Sequence, residues 1–277
     1  MTKNMKMFSA IALAVVALGV AVYSANATSS SKDDLVCVPS NFAAEYYRNS
    51  LSLKTTVVPP LVDVELSNDE KFGLTKNERK YVLFFNPEIG KGLGFFIAIA
   101  KAVWERRRDV KFLLVEGRCG RREIQTLGKE TLRNVGNIDF TENTPNIQRL
   151  FEQARITLFP SLYEETFGRV AAESMNAGVP VIVSDRGALP ETVGNGARVL
   201  SIPAKYQPDV HAVPSDVEIK PWLDALFRLW DDVDYYRKMQ LQGWEQAKRW
   251  ARERVADVYE NLFLDLLERR KFNVNLR

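Results

Sequence analysis

Apolar and polar positions change rhythm at Lys80. From there on, short apolar runs alternate with stretches whose apolar residues recur at helical spacing. The runs Tyr81–Phe85, Lys111–Val115, Ile138–Phe140, Ile156–Phe159, Pro180–Ser184 and Ala197–Leu200 predict strands. Between them, Phe95–Glu105, Arg121–Leu132, Asn146–Ala154, Gly168–Asn176 (stopped by Gly178) and Leu189–Val193 predict helices. Strand–helix alternation with short connections predicts an α/β fold with a doubly wound parallel sheet. From Pro221 to the end the pattern is helical, and Val255, Val258, Leu262 and Leu266 recur at a spacing that predicts packing on the core.

Before Lys80 the elements are shorter. Leu35–Val38 and Thr55–Val58 read as strands, the second stopped by Pro59-Pro60, and Ser40 as the cap of a helix through Tyr47. Thr28–Asp34 and Ser67–Lys80 are polar and read as linkers. The uncharged run Met7–Ala27, preceded by Lys3 and Lys6, fits two readings. One is a secretory leader or membrane anchor with a small-x-small end at Ala25-Asn26-Ala27. The other is a helix over Ala10–Leu18, a stop at Gly19 and a strand over Val20–Ser24. The expected organisation is therefore 1–27 as leader, anchor or αβ remnant, 28–79 as linker and partial domain, and 80–277 as the main domain.

Composition narrows the functions. With 46% hydrophobic and 26% charged residues in 277, the chain is of ordinary globular make-up. A net charge of +3 argues against nucleic acid as a partner. Two cysteines, Cys37 and Cys119, make no disulfide framework, and a lone histidine, His211, leaves no zinc pattern, so no metal is expected.

In open α/β sheets ligands sit beyond the carboxyl ends of the strands, where four loops fall here. The first, Asn86–Gly94, is glycine-rich and carries Lys91, a point charge suited to a diphosphate, with Gly92 beside it. It nearly fits a dinucleotide fingerprint, the basis of a rival reading as an NAD-dependent oxidoreductase, but the third glycine falls on Phe95. The second loop, Glu116–Arg122, offers Arg118 to phosphate, with Arg121 and Arg122 toward solvent. The third, Thr141–Pro145, has a backbone suited to a base edge. In the fourth, Thr166 is the expected cap of a helix whose first N–H groups, on Phe167, Gly168 and Arg169, would face an anion. Glu173 lies about 7.5 Å along that helix from Gly168, a distance that suits a ribose diol, while Glu165 suits sugar hydroxyls. Arg106-Arg107-Arg108 ends a helix and complements its dipole.

The stretch Pro160-Ser-Leu-Tyr-Glu-Glu-Thr-Phe-Gly-Arg-Val-Ala-Ala-Glu173, with seven residues between Glu165 and Glu173, resembles the retaining GT-B glycosyltransferases of the glycosyltransferase 4, or group 1, type. Lys91-Gly92, Ser174–Ser184 and Gly187-Ala-Leu-Pro-Glu191 match the same family's further motifs, over roughly Lys80–Phe272. The resemblance implies the Rossmann-like C-terminal domain of that fold and transfer of a hexose-type sugar from a nucleotide-diphosphate donor, with retention and without metal or cofactor. It implies that Glu173 holds ribose, Glu165 the donor sugar and Lys91 the diphosphate. Val36–Phe42 through Val57–Asp63 resembles the exit of a shortened N-terminal domain. Where many members carry an arginine six residues before the lysine, Phe85 stands here, and Arg118 is the expected substitute. The implied partners are a nucleotide sugar and a glycan, lipid or small-molecule acceptor. The implied location is the cytoplasm or the cytoplasmic face of a membrane reached through residues 7–27. Two alternatives stand beside transfer: a non-catalytic nucleotide-sugar module, and a glycosyltransferase that needs a partner's acceptor domain.

Overall fold

The computed structural model describes residues 21–23, 35–62, 79–207 except 121–134, and 209–275. Contacts divide the chain into two compact units, one of residues 1–61 with 253–277 and one of residues 62–252.

The first unit holds β1 (Ala21–Tyr23), β2 (Leu35–Val38), α1 (Asn41–Leu51) and β3 (Thr55–Val57). β1 pairs antiparallel to β2, and β2 parallel to β3. Ser40 caps α1 as expected, its Oγ accepting the Ala43 N–H at 3.1 Å. The helix runs to Leu51, past the expected end at Tyr47, and stops at Ser52 in a left-handed conformation (φ 53°). Val36, Val38, Ala43 and Ala44 form its small core. The expected Ala10–Leu18 helix and the Ser67–Lys80 linker up to residue 78 lie outside the described residues.

The second unit carries a six-stranded sheet ordered β6-β5-β4-β7-β8-β9, every pair parallel. Its strands are β4 (Tyr81–Phe85), β5 (Lys111–Val115), β6 (Ile138–Thr141), β7 (Ala154–Phe159), β8 (Val181–Ser184) and β9 (Arg198–Leu200). The helices are α2 (Leu93–Arg106), α3 (Gln148–Gln153), α4 (Arg169–Asn176), α5 (Leu189–Val193), α6 (Asp216–Asp231) and α7 (Val233–Ala247). β4, β7 and β8 are apolar almost throughout because helices cover both faces of a parallel sheet. The chain winds outward from β4 to β6, returns to β7 beside β4, then winds the other way to β9. The strand order therefore reverses between β4 and β7, which opens a crevice at their carboxyl ends.

Two helical expectations change. The periodic residues of α8 (Arg252–Asn275) were expected on the core of the main domain, but the helix groups with the first unit. Val255 is buried, Leu262 and Leu266 are half-buried, and Val258 is exposed. A 24-residue helix buries only the stripe its neighbours reach, so helical spacing alone overstates burial. The expected Arg121–Leu132 helix lies outside the described residues. No helix among the described residues is long and apolar enough to cross a membrane.

The arginines at the end of α2 do more than complement its dipole. Arg106 donates to the Ala102 carbonyl, Arg107 pairs with Asp109 and Asp231, and the Arg108 guanidinium lies 3.6 Å from the centre of the Trp104 ring.

Arg79 is almost wholly buried beneath the sheet. Its Nη1 donates to the Gly178 carbonyl at 2.8 Å and its Nη2 to that of Ala177 at 3.2 Å. Those carbonyls lie at the C-cap of α4 and one residue beyond it, next to the end where partial negative charge collects, and Gln240 Nε2 also donates to that of Gly178 at 2.8 Å. Arg79→Met keeps the packed stem and removes both bonds, so a loss of about 2–3 kcal/mol in denaturant unfolding is expected. A change below about 0.5 kcal/mol would show that the contact does not hold the helix.

The start of α6 carries a second electrostatic device. Ser215 and Glu218 form a capping box, and Glu218 also meets Lys205 at 2.7 Å and the Tyr206 hydroxyl at 3.0 Å. Lys205 first, then the Ser215 N–H and hydroxyl, hold the Glu218 pKa down at about 2 against an ordinary 4.5. A depressed carboxylate contributes stability that is fully present above pH 4.5 and is lost as pH falls toward 2. Glu218→Gln is therefore expected to unfold at lower temperature than the parent at pH 7. The gap should close between pH 4.5 and 2, and a gap independent of pH would refute the assignment.

Candidate functional site

The site is built at the reversal between β4 and β7, because the loops that leave these two strands rest on each other. After β4, a turn of 3₁₀ helix over Ile89–Lys91 leads to Gly92, which has φ +86°. A Cβ on Gly92 would lie 1.9 Å from the carbonyl oxygen of Pro160, the first residue after β7. Glycine is thus required here both by backbone conformation and by contact. The Gly90 carbonyl accepts the N–H groups of Leu162 and Tyr163, fastening the loops edge to edge. Asn86 ties in a third loop by accepting the Cys119 N–H at 3.0 Å.

This seam brings Lys91 and Glu165 together across 74 residues of sequence. Lys91 Nζ lies 2.5 Å from Glu165 Oε1, and Ser161 donates its hydroxyl to the same oxygen at 2.7 Å. The side chains of Lys91 and Glu165 are 24% and 12% exposed, so the pair is largely shielded from solvent. The Glu165 backbone is held by the next loop, whose Ala188 N–H donates to its carbonyl at 2.7 Å.

The helix that follows starts later than expected. Thr166 is not its cap. α4 begins at Arg169, with Gly168 at the cap position in a left-handed conformation (φ +88°) and no side-chain cap bond. The left-handed backbone at this position favours glycine, and a Cβ there would also displace the end of the Leu189 side chain, whose Cδ2 lies 2.4 Å away. Phe167 serves as an anchor, its ring edge-on to Trp250 and its carbonyl accepting the Thr192 hydroxyl. The first-turn N–H groups of α4 point out of its N-terminus.

Glu173 lies one turn on, its side chain 7% exposed, and takes a bond from Arg169 Nη2 at 3.1 Å. It forms one wall of an open cleft of about 680 Å³. Arg169 and Val170 share that wall, and residues Asn143–Gln148 form the other. The third loop thus continues past Pro145 into α3 as a cleft wall. Arg118 is exposed on the loop after β5, next to the first loop in the sheet order. Arg121 and Arg122 lie outside the described residues.

The remaining candidates fall elsewhere. Phe85, at the position where an arginine is common, packs its ring 5.5 Å from that of Phe151 and serves the core. Phe95, where a dinucleotide fingerprint needs glycine for close helix–strand packing, is buried against Tyr206 and Trp222. His211 is exposed before α6. Cys37 and Cys119 are in no disulfide, and burial pushes the Cys37 pKa up, away from thiolate reactivity. Among the described residues no group of three or more His, Cys, Asp or Glu is placed to hold a metal. Ser161 and the Ala188 N–H escaped sequence reading, because nothing local marks a serine or an amide as a partner of Glu165.

A six-stranded parallel sheet with its ligand crevice at the strand reversal is the architecture of the GT-B glycosyltransferases, and solved enzymes of that fold superpose on it. The pneumococcal O-GlcNAc transferase GtfA, solved with UDP and GlcNAc, matches at TM-score 0.66 with 13% identity, over 90% of this chain and 51% of that one. Anabaena Alr3699/HepE, solved with UDP and glucose, matches at TM-score 0.64 with 15% identity, over 94% and 67%. Among curated proteins, the D-inositol 3-phosphate glycosyltransferase of Paenarthrobacter aurescens (strain TC1) is 24% identical over 175 residues. That alignment covers 61% of this chain and 39% of the relative. The profile described as glycosyl transferases group 1 matches residues 80–213. Residues 80–213 thus carry a group 1 glycosyl transferase domain. The chain spans about two fifths of the length of the Paenarthrobacter relative.

Proposed function

We propose that this domain binds a nucleotide-diphosphate sugar across the β4–β7 crevice and moves a hexose-type sugar from it to an acceptor, with retention at the anomeric carbon. The observation that carries the reading is the Lys91–Glu165 pair joining the β4 and β7 loops, with α4 starting four residues after Glu165 and carrying Glu173 on the wall of the cleft. In this reading Glu173 accepts the ribose diol and the nucleoside fills the cleft, which has the size usual for small-ligand sites. The diphosphate lies over the start of α4, among Gly92, Thr166, the backbone of Phe167 and Gly168, and Arg169, with Arg118 on the open side. Lys91 and the helix terminus stabilise the charge that grows on the diphosphate as the sugar leaves, which is preorganised electrostatic catalysis without a metal. Glu165 orients the sugar.

Calorimetry tests the reading with UDP, GDP and ADP against UDP-glucose, GDP-mannose and ADP-glucose, followed by release of the nucleoside diphosphate on incubation. Tighter binding of one sugar form than of its bare diphosphate, with slow release, is expected. Binding without release would make the chain a nucleotide-sugar module, and no binding by the folded protein would remove the reading altogether.

A further inference from the structure

Glu165 uses its two oxygens unequally. Oε1 takes both internal bonds, from Lys91 Nζ at 2.5 Å and from Ser161 Oγ at 2.7 Å. Oε2 has no hydrogen-bond partner among the described residues, and the side chain keeps 12% exposure. A carboxylate only accepts, so the lone pairs of Oε2 remain for donors that arrive with a ligand.

Ser161 is the rigid half of that arrangement. It is fully buried, and its own carbonyl accepts the hydroxyl of Ser184 at the end of β8 at 2.7 Å. Its single hydroxyl proton has two acceptors in reach, the Tyr163 carbonyl at 3.3 Å and Glu165 at 2.7 Å. The shorter, charge-assisted bond takes it. Lys91, by contrast, ends a flexible four-carbon stem and is free to turn its remaining donors toward a phosphate. A carboxylate held by the lysine alone would turn with it. Bonded to a serine pinned between two strands, it keeps one orientation whether or not the lysine moves.

We propose that Ser161 is the positioning residue of Glu165, holding Oε1 so that Oε2 faces the hydroxyls of the bound sugar. The proposal rests on the nucleotide-sugar reading of the site. It predicts an effect confined to the sugar. Ser161→Ala should weaken the sugar form of the donor about tenfold and leave the bare diphosphate within about twofold, the size of one hydrogen bond to a charged group. Ser161→Cys, a near-isostere with a weaker donor, should fall between, and it supplies the same comparison if the alanine variant does not fold. In the background of Glu165→Gln, Ser161→Ala should add nothing, since the two residues act through one contact.

The measurement is calorimetry of UDP against UDP-glucose, or of whichever of the three nucleotide pairs the parent binds, with thermal unfolding as a check on folding. Equal losses for diphosphate and sugar form, or additive losses in the double variant, would overturn the positioning role. If the parent binds and Ser161→Ala binds the sugar form as tightly, this proposal alone falls. If the parent binds none of the six probes, the nucleotide-sugar reading falls and this proposal with it.

Discussion

Replacing Lys91 by methionine is expected to lower turnover of the nucleotide sugar by about two to three orders of magnitude, the range seen when one preorganised donor to a developing charge is removed. Two consequences of the geometry combine. The substitution removes the ammonium group that the seam between the β4 and β7 loops delivers to the crevice. It also leaves the Glu165 carboxylate, only 12% exposed, with Ser161 as its one remaining partner among the described residues. On the proposed donor placement the negative charge then stands beside the diphosphate, so affinity for the bare diphosphate should fall together with turnover. Lys91→Arg keeps the charge but not the compact point geometry, and an intermediate effect is expected. Steady-state release of the nucleoside diphosphate gives kcat and KM, and calorimetry gives the affinity. A Lys91→Met protein within about threefold of the parent in both would remove Lys91 from the machinery.

The second large effect falls on the frame of the site. Gly92→Ala is expected to destabilise the second unit by about 4 kcal/mol, toward the upper end of single-residue effects. The left-handed backbone at φ +86° costs an alanine about 1 kcal/mol. The larger part is steric. The new Cβ would lie 1.9 Å from the Pro160 carbonyl oxygen and 2.7 Å from its carbonyl carbon, and neither can swing aside as a side chain would. The loops must part, which breaks the bonds from Leu162 and Tyr163 to the Gly90 carbonyl and separates Lys91 from Glu165. Denaturant unfolding measures the stability. An alanine variant within about 1 kcal/mol of the parent would mean that the seam yields easily and does not hold the pair together.

These effects divide what is local from what is not. The strands of the second unit were legible because continuous apolar runs in a parallel sheet carry their own signature. Tyr81–Phe85, Lys111–Val115 and Leu189–Val193 appear with the expected bounds, and the other described elements of that sheet and its connecting helices shift by one or two residues at their ends. The cap of α4 was misassigned to Thr166 for a physical reason. A threonine before a helix is a local signal, whereas the start of α4 is set by the left-handed turn at Gly168, which lies against Leu189 of another helix. Phe85 likewise looked like a missing charge until the ring of Phe151 gave it a packing role. The third loop offered only a backbone for a base edge, and the structure makes it and the start of α3 the cleft wall facing Glu173.

By itself the sequence determined the winding of the sheet, the loops at its ligand edge, and the residue types offered there: a lysine among glycines, two glutamates on one segment and a helix start. Periodicity and composition are properties of neighbouring residues, so these survive without coordinates. Only the tertiary structure decided that Lys91 meets Glu165, that Oε1 is taken and Oε2 is left, and that Ser161 holds the carboxylate. It also decided that α8 groups with residues 1–61. Those facts depend on contacts between segments far apart in the chain, and the strand reversal between β4 and β7, more than any local pattern, brings the catalytic candidates together.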